Sequence, residues 1–449
     1  MNKMNWERLL SGKRLGKLNQ PVEFGGARTP FQRDFDRILF SSAFRRLQDK
    51  TQVFPLAKDD YVRTRLTHSL EVSSVGRSLG VMVGDEIIKR NSDLKNIGIT
   101  AADFGTVVAA AGLAHDIGNP PFGHAGESAI QYWFRSPPAD KFLSGRGLDD
   151  VRRADLQCFE GNAQGFRLLT KTETPDQPGG MQLTAAVLGS FVKYPRLSIA
   201  SENASTGVSG KKFGFVAEDF PRFEEIAKKL GLIQKSENAW YRHPLAFLME
   251  AADDICYRVM DVEDGFRTGN LSFSEVQPLF ANILIEKDMA RAETIPLEKH
   301  RIEFFRAKAI HIAIEEVVVA FLEREGSILS GSFDDDLMNH ISHAHAYKEF
   351  QTLARKKVYS AAPVVEIEAC GFKVIGGLLD VFLTAIDDYA SLGRGCSSMS
   401  TTILKLMPEL PCEGMDYYSR VLAVTDFVSG MADSYALRTY QRIHGISLP

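Results

Sequence analysis

The chain has 449 residues, of which 44% are hydrophobic, and its formal net charge at neutral pH is −4. This is enough apolar material for a large core, and the acidic excess argues against a surface that coats nucleic acid. The five cysteines are scattered without a CxxC pair, which favours reduced thiols over a disulfide framework or a zinc knuckle. We find no apolar run of membrane-spanning length and no secretory leader, so we expect a soluble, cytoplasmic protein.

The first thirty residues mix glycine, lysine, arginine and asparagine, and this composition predicts an arm outside the core. Thr29–Pro30 is typical of a helix start, and a helix is expected after it. The apolar face of this helix would consist of Phe31, Phe35, Ile38, Leu39 and Leu47. The segment that contains Gln52 and Val53 then predicts a short extended piece before a loop.

The next informative stretch is Arg65–Glu71, which supplies a histidine at the start of a predicted helix. Arg65 and His68 are three residues apart, so on a helical turn they face the same way. If His68 holds a metal ion, the fixed charge of Arg65 is placed to grip a phosphate oxygen of a bound substrate. The alternative is a surface arginine beside a core histidine.

The stretch Gly112–His124 is the most informative part of the sequence. Before it, apolar and small residues recur at three- and four-residue steps, which predicts a helix buried nearly all round. An adjacent His115–Asp116 at the end of such a helix is costly to bury unless both side chains are satisfied, and a metal ion would satisfy both. For the dipeptide alone, a hydrogen-bonded helix end is the simpler interpretation. The glycines and prolines that follow predict a sharp turn, which brings His124 back near the pair.

Glu127 opens the following helix, three residues after His124. At this spacing the carboxylate can orient the imidazole and raise its pKa if both side chains point into the site. His124 is therefore a candidate general acid or base, with Glu127 as its partner. A glutamate that favours a helix N-terminus for electrostatic reasons alone is the alternative.

Two polar stretches predict insertions in the fold. Residues 136–158 are rich in Pro, Gly, Asp and Arg, which is typical of a mobile loop, and residues 196–220 predict a hairpin or lid. Lys193 lies just before the second stretch, and Lys212 lies within it. Any polyphosphate substrate needs basic residues to neutralise it, but most exposed lysines have no such task, so the sequence alone leaves the role of these two open.

The helix expected between His243 and Val262 carries acids in an otherwise apolar setting. Asp253, Tyr257 and Asp261 fall at steps of four, so their stripe drifts by only about 40° per step and all three can line one cavity. Asp254 points about 100° away from Asp253 and is better explained by a supporting role behind the metal ligands or by a helix–helix hydrogen bond. Asp253 is therefore the candidate metal ligand on this helix.

Together these segments supply two imidazoles and two carboxylates. A mixed nitrogen and oxygen set of this kind suits a catalytic divalent transition metal better than a closed structural zinc site. The predicted ligands are His68, His115, Asp116 and Asp253.

From residue 271 onward the sequence again predicts mainly helices, with a short strand at Val364–Ile367. His340, His343 and His345 invite a second metal interpretation. Their i, i+3, i+5 spacing favours a polar loop or an interface.

The order of His68, His115–Asp116 and a late aspartate resembles the HD superfamily of metal-dependent phosphohydrolases. The sequence motifs at residues 63–69 and 115–127 resemble those of one branch in particular, the bacterial dGTP triphosphohydrolases. The resemblance extends from about Arg28 to the C-terminal helices. It implies a mainly α fold in three parts: the arm (1–30), an HD helical core with the loop and lid insertions (31–270), and further helices that complete the nucleotide pocket and subunit contacts (271–449).

The resemblance also implies roles for individual residues. The four predicted ligands would hold one divalent ion, expected to be Mn²⁺ or Mg²⁺, with Co²⁺, Ni²⁺ and Fe²⁺ as alternatives. His124 and Glu127 would be catalytic. The triphosphate would be bound by Arg65, Asn162, Lys193 and Lys212. The deoxyribose would be bound by Gln52, Val53, Tyr257 and Asp261, with the Tyr257 ring leaving no room for a 2′-hydroxyl.

The expected function is hydrolysis of dGTP, with other dNTPs as further candidates, to deoxynucleoside and inorganic tripolyphosphate. Family members also imply a homohexamer and single-stranded DNA as an effector. One alternative is an HD phosphohydrolase that acts on a cyclic or hyperphosphorylated guanine nucleotide. A second is a non-catalytic nucleotide sensor or single-stranded DNA-binding protein. The base preference stays open, because the C-terminal residues do not align individually.

Overall fold

The structure is a computed structural model that describes residues 3–22, 27–53, 62–408 and 414–446. These residues form twenty-one α-helices and one two-stranded antiparallel sheet, so the predicted mainly α class is confirmed. The first half contains α1 (Trp6–Leu9), α2 (Pro30–Leu39), α3 (Ser42–Arg46), α4 (Arg65–Arg90), α5 (Ser92–Asn96), α6 (Ala101–Ala114), α7 (Gly123–Phe134), α8 (Pro137–Leu143), α9 (Asp150–Gln157), α10 (Gly161–Arg167), α11 (Ala185–Phe191) and α12 (Phe220–Leu230).

The second half begins with the small sheet, β1 (Gln234–Ser236) and β2 (Ala239–Trp240). It continues with α13 (Pro244–Arg267), α14 (Phe273–Ala281), α15 (Glu286–Glu293), α16 (Glu298–Ser330), α17 (Ala344–Lys357), α18 (Ala362–Leu392), α19 (Ser398–Leu404), α20 (Tyr417–Ser429) and α21 (Asp433–Ile443).

The first hydrophobic core is organised by α4 and α6, with α13 and α16 packed against them. The two central helices approach closely because small residues face each other. A Cβ atom on Gly80 of α4 would lie 2.8 Å from the Cα atom of Gly105 on α6, which is too short for any other residue. This close packing fixes the ends of both helices, where the predicted histidines lie.

The second hydrophobic core lies around α18, against which α7, α19, α20 and α21 pack. α18 is long and apolar enough to cross a membrane by length and composition, but half of its most apolar window is buried inside the protein. That burial is typical of a core helix. The start of α7 touches both α4 and α18: a Cβ atom on Gly123 would lie 2.8 Å from the Arg65 guanidinium, and one on Gly371 would lie 3.3 Å from the Phe122 side chain.

Four local expectations are wrong. Residues 4–15 are not an arm outside the core, because Trp6, Leu9 and Leu15 are buried in the first core. Residues 136–158 form α8 and α9, anchored by buried apolar side chains, rather than a loop. Residues 196–220 contain two 3-10 turns, and the hairpin lies later, at 234–240, so the hairpin alternative is misplaced while the lid alternative stays a prediction. Residues 364–367 belong to α18 and are not a strand.

Candidate metal centre and active-site cavity

Three helices deliver the four predicted metal ligands to one place. His68 lies in the first turn of α4, His115 and Asp116 follow the last residue of α6, and Asp253 lies in the middle of α13. The ligand atoms of the first three lie within 4.8 Å of one another. Asp253 Oδ1 lies 3.1 Å from His68 Nε2 and 3.4 Å from His115 Nε2. The structure thus brings together side chains that are separated by nearly two hundred positions.

The free atoms of this set fit a divalent cation. His115 Nδ1 donates to the carbonyl oxygen of Gly112 at 2.6 Å, which leaves Nε2 as the nitrogen for a ligand. Asp116 Oδ1 accepts from Arg65 at 2.8 Å and from Asn119. The other oxygen, Oδ2, is buried and has no hydrogen-bond partner among the described residues. Such a carboxylate oxygen needs a partner, and a metal ion would supply it.

The electrostatics of the set also favour positive charge at its centre. Burial alone raises the pKa of Asp253, but Lys193 and His115 more than offset this and hold it well below its usual range. Burial lowers the pKa of His115, but Asp116 and Asp253 outweigh this effect, so the net shift of the pKa is upward. Carboxylates that hold protons on a buried imidazole can equally hold a metal cation.

A cavity of about 440 Å³ opens beside these residues, within the range of about 300–1,000 Å³ that is usual for small-molecule sites. Every predicted site residue lines this cavity except His68 and Asp261. His68 instead contacts Asp253, which does line it. The lining therefore combines the candidate metal ligands with the residues predicted to bind the triphosphate and sugar.

His124 and Glu127 form a pair at the entrance to α7. His124 Nδ1 lies 3.1 Å from Glu127 Oε2, and the other carboxylate oxygen accepts from the backbone N–H of Gly161 at 2.7 Å. Burial raises the pKa of Glu127, but the hydrogen bond with His124 and the charge of Lys212 outweigh it and hold the pKa below its usual value. Because an ionised carboxylate accepts a hydrogen bond from Nδ1–H, Nε2 of His124 is left free for chemistry.

Three cations line the cavity, and each is already paired with a carboxylate. Arg65 contacts Asp116, and Lys193 Nζ donates to Asp253 Oδ2 at 2.7 Å. Lys212 Nζ lies 3.0 Å from a carboxylate oxygen of Glu160. Burial lowers the pKa of Lys193 and of Lys212, but the neighbouring acids raise both overall, so the ammonium groups stay charged.

Asn162 reaches the same cavity because α10 lies directly against the turn after Asp116. A Cβ atom on Gly118 would lie 2.0 Å from the carbonyl oxygen of Gly161 and 2.1 Å from the backbone nitrogen of Gly165. Only glycine permits this approach. The Asn162 side chain donates to Glu160 at 2.7 Å, so Glu160 holds both this amide and Lys212.

Gln52 also lines the cavity and has a buried Oε1 atom without a hydrogen-bond partner in the described ranges. Tyr257 lines the cavity, with its ring 5.9 Å from that of Tyr359. The expectation that Asp253, Tyr257 and Asp261 line one cavity holds for the first two only. Asp261 is 2% exposed and accepts a hydrogen bond from the Tyr359 hydroxyl, because two successive drifts of about 40° turn it behind the wall. Burial raises its pKa to about 8.

Several cavity residues were not anticipated from the sequence. They are Thr51, Asn119, Phe122, Gly123, Tyr194, Asp254, Gln351, Tyr359, Val364 and Glu368. Val364 and Glu368 are four residues apart on α18, a helical spacing that the strand interpretation concealed. Asp254 also accepts from Arg258 at 2.7 Å within α13. His340 and His343 instead pair with Asp335 and Glu316.

The sequence of the chain is similar to those of known proteins. A sequence profile described as "HD domain" matches residues 65–147. The chain is 48% identical, over 99% of its length and all of the relative's, to a "deoxyguanosinetriphosphate triphosphohydrolase-like protein" of Synechocystis sp.. It is 38% identical, with the same coverage, to a protein of that name from Pseudomonas aeruginosa. It is 31% identical, over 99% of its length and 98% of the relative's, to the "deoxyguanosinetriphosphate triphosphohydrolase" of Klebsiella pneumoniae.

Proposed function

The chain belongs to the deoxyguanosinetriphosphate triphosphohydrolase family of HD-domain hydrolases, and from that premise we propose that it hydrolyses dGTP, with other dNTPs as further substrates, to deoxynucleoside and inorganic tripolyphosphate. One observation carries the proposal. A single cavity is lined by three members of a four-residue set suited to a divalent cation, by a histidine–carboxylate pair and by three cationic side chains, and the fourth member, His68, contacts Asp253. Each of these groups has a part in the proposed hydrolysis of a nucleoside triphosphate.

His68, His115, Asp116 and Asp253 would hold the divalent ion, for which we propose Mn²⁺ or Mg²⁺, with Co²⁺, Ni²⁺ and Fe²⁺ as alternatives that these ligands accept. When bound, such an ion supplies Lewis acidity toward a phosphate oxygen and favours ionisation of nearby water. The protein keeps the ligands in place through Arg65 and Asn119 on Asp116 and through the Gly112 carbonyl on His115. These contacts fix the orientation of each ligand.

His124 is the proposed proton carrier of the reaction. Its side chain is 80% exposed toward the cavity, while Glu127 is buried behind it. Nε2 takes a proton from the attacking water as its oxygen bonds to the α-phosphorus, and a proton is delivered to the 5′-oxygen as the bond from that oxygen to phosphorus breaks. The products of this step are a deoxynucleoside and intact tripolyphosphate.

Arg65, Lys193, Lys212 and Asn162 are the proposed triphosphate ligands. A triphosphate carries about four negative charges, and charge-assisted hydrogen bonds from these groups would stabilise them as charge spreads over the phosphate in the transition state. Because the three cations are already held by Asp116, Asp253 and Glu160, they are oriented before substrate arrives. Substrate binding therefore costs little side-chain conformational entropy at these three residues.

Gln52, Val53, Tyr257 and Asp261 are the proposed sugar-binding residues, with Asp261 acting through Tyr359 in the free protein. Steric exclusion by the Tyr257 ring would favour deoxyribose over ribose. The base would lie beyond the sugar, where Gln351, Val364 and Glu368 line the cavity. A carboxylate accepts two hydrogen bonds at once, which matches the N1–H and 2-amino donors of guanine. Glu368 is the proposed origin of the guanine preference.

The direct test is turnover of the four dNTPs and GTP by the full chain with Mn²⁺ or Mg²⁺, beside His124→Ala and His345→Ala. His345 is a matched control, because its side chain is 90% exposed and lies outside the cavity. We expect dGTP turnover, a loss of about 10²-fold or more in His124→Ala with metal content unchanged, and normal turnover in His345→Ala. Equal turnover in all three proteins would remove His124 from the chemistry, and a metal-loaded protein inert toward every dNTP would contradict the proposed function.

We further propose a homohexamer in the cytoplasm, with single-stranded DNA as an effector at a subunit interface. This assembly and this effector are carried over from the family resemblance of the sequence motifs. Mass measurement in solution, with and without an oligonucleotide, tests it: a monomer in both conditions would contradict it.

A further inference from the structure

The N-terminal end of α21 reaches the active site from the far end of the chain. Asp433, its first residue, is 1% exposed. Its Oδ2 atom accepts from the backbone N–H and the hydroxyl of Thr51, at 3.0 and 2.7 Å. Its Oδ1 atom accepts from the backbone N–H of Phe122 at 2.9 Å. One carboxylate thus joins two segments that are distant in the sequence.

Both segments carry residues of the proposed reaction. Thr51 precedes Gln52 and lines the cavity. Phe122 begins the turn into α7, two residues before His124, and its φ of 61° lies in the left-handed region that a bulky side chain rarely adopts. A residue persists in such a conformation only when its surroundings hold it there. The hydrogen bond from Phe122 N–H to Asp433 helps to stabilise Phe122 in this conformation.

A second buried side chain, Lys50, joins the same segments. Lys50 Nζ donates to the carbonyl oxygen of Asn119 at 2.5 Å and to that of Ser429, at the end of α20, at 3.0 Å. Lys50 is 2% exposed, and this burial lowers its pKa to about 7, while Asp433 acts in the opposite direction and favours the charged form. Together the hydrogen bonds of Lys50 and Asp433 fasten the C-terminal helices to the turn after Asp116.

We propose that Asp433 is a positioning residue for hydrolysis, an inference that rests on the proposed function. By holding Thr51 and Phe122 at once, it fixes the distance between the sugar-binding segment and the turn that presents His124. The matched HD profile ends at residue 147, so the active site requires a carboxylate that lies far outside the HD region.

The chemistry of the contacts gives a specific variant. Asp433 faces two backbone N–H donors, which cannot act as acceptors. In Asp433→Asn the side chain has one acceptor oxygen and one NH₂ group, so one of the two N–H groups must face a donor. Either the Thr51 segment or the Phe122 turn is then released, although the size of the side chain is unchanged.

Ser434→Ala is the matched control. The Ser434 hydroxyl donates to Asp49 at 3.0 Å, so it also ties α21 to the segment before Thr51, but it touches neither Thr51 nor Phe122. Thr51→Val is the milder second variant, because it removes only the hydroxyl donor and keeps the backbone N–H bond. All three are made in the full chain and compared by kcat and KM for dGTP, metal content, Tm and peptide-resolved amide hydrogen exchange.

We expect Asp433→Asn to lower kcat/KM by about 10²-fold, the size expected for a displacement of about 1 Å in a catalytic group, with bound metal retained. Exchange should rise in the peptides that cover Thr51 or Phe122. Thr51→Val should raise KM more than it lowers kcat, and Ser434→Ala should match the wild type. If Asp433→Asn does not fold, the KM effect in Thr51→Val decides the question, and an unchanged KM there overturns the proposal.

The outcome is separable from that of the proposed function. If the wild type does not hydrolyse dGTP, the proposed function fails, while the exchange measurement still reports whether Asp433 fixes the two segments. If the wild type is active but Asp433→Asn shows wild-type kcat, KM and exchange, the positioning role is overturned and the function stands.

Discussion

Replacing Glu127 by glutamine keeps the size of the side chain but leaves it one acceptor oxygen instead of two. In the structure one oxygen accepts from Gly161 N–H at 2.7 Å and the other pairs with His124 Nδ1 at 3.1 Å. If the amide oxygen turned away from Gly161, a buried N–H would lose its partner at a cost of about 1–3 kcal/mol. The imidazole can change tautomer, whereas a backbone N–H cannot. We therefore expect the amide NH₂ to face Nδ1 and the proton to move to Nε2.

A histidine with its proton on Nε2 cannot take another proton from water at the cavity side. General acid–base catalysis contributes about 10²–10⁴-fold, which corresponds to about 3–5 kcal/mol of barrier at 1.36 kcal/mol per tenfold change. Glu127→Gln should therefore lower kcat by about 10²–10⁴-fold and leave KM little changed, since no phosphate-binding cation is removed. The buried carboxylate acts through His124, so its loss should equal that of removing the imidazole.

The assay is steady-state hydrolysis of dGTP with the metal at saturation, for Glu127→Gln, His124→Ala and the double variant. Gln131→Ala is the control, because Gln131 lies one turn later on α7 and donates to the Phe159 carbonyl outside the cavity. We expect the double variant to be no worse than either single one. Additive losses, or a Glu127→Gln protein with normal kcat, would refute the reasoning.

Three other variants test separate features. Burial raises the pKa of Asp155 to about 6, so the stability that its protonated form contributes is present below about pH 4 and is lost as the pH rises through 6. Asp155→Asn should therefore exceed the wild type in unfolding free energy by up to about 3 kcal/mol at pH 7 and by little at pH 4. A pH-independent loss of unfolding free energy in urea titrations would contradict this. Gly118→Ala places a methyl group 2.0 Å from the Gly161 carbonyl oxygen and should lower the free energy of unfolding by about 1–3 kcal/mol or more. Its control, Gly326→Ala, has no heavy atom within 4 Å of the added carbon and should be neutral or stabilising in the same thermal melts. Equal melting temperatures for the two variants would contradict this. Glu368→Gln should lower kcat/KM for dGTP relative to dATP by about tenfold or more through loss of a charged acceptor, and an unchanged ratio in competition assays would exclude Glu368 from base recognition.

The convergence of the four candidate metal ligands was predictable because its signals are local. A histidine after a helix start, a His–Asp pair at a buried helix end, and acids in an apolar helix each restrict what those side chains can do. Helical periodicity separated Asp253 from Asp254, and in the structure Asp253 contacts both imidazoles while Asp254 pairs within α13. The family resemblance is confirmed by the full-length relatives.

The base end of the cavity and the role of Asp433 were not predictable. They depend on which helices pack together across more than three hundred residues, and no local pattern encodes that. The same limit explains the wrong strand at residues 364–367, since β-branched residues tolerate a helix once tertiary packing favours it. Pro137 was taken as a loop residue, although at the first position of α8 it favours a helix.

The most direct test of the central claim is a single turnover of dGTP by the metal-loaded protein in ¹⁸O-labelled water, with both products identified by mass. The account predicts unlabelled deoxyguanosine and tripolyphosphate that carries one ¹⁸O atom, because water attacks the α-phosphorus and the bond to the 5′-oxygen breaks. Labelled dGMP with pyrophosphate, or labelled pyrophosphate with dGMP, would contradict it.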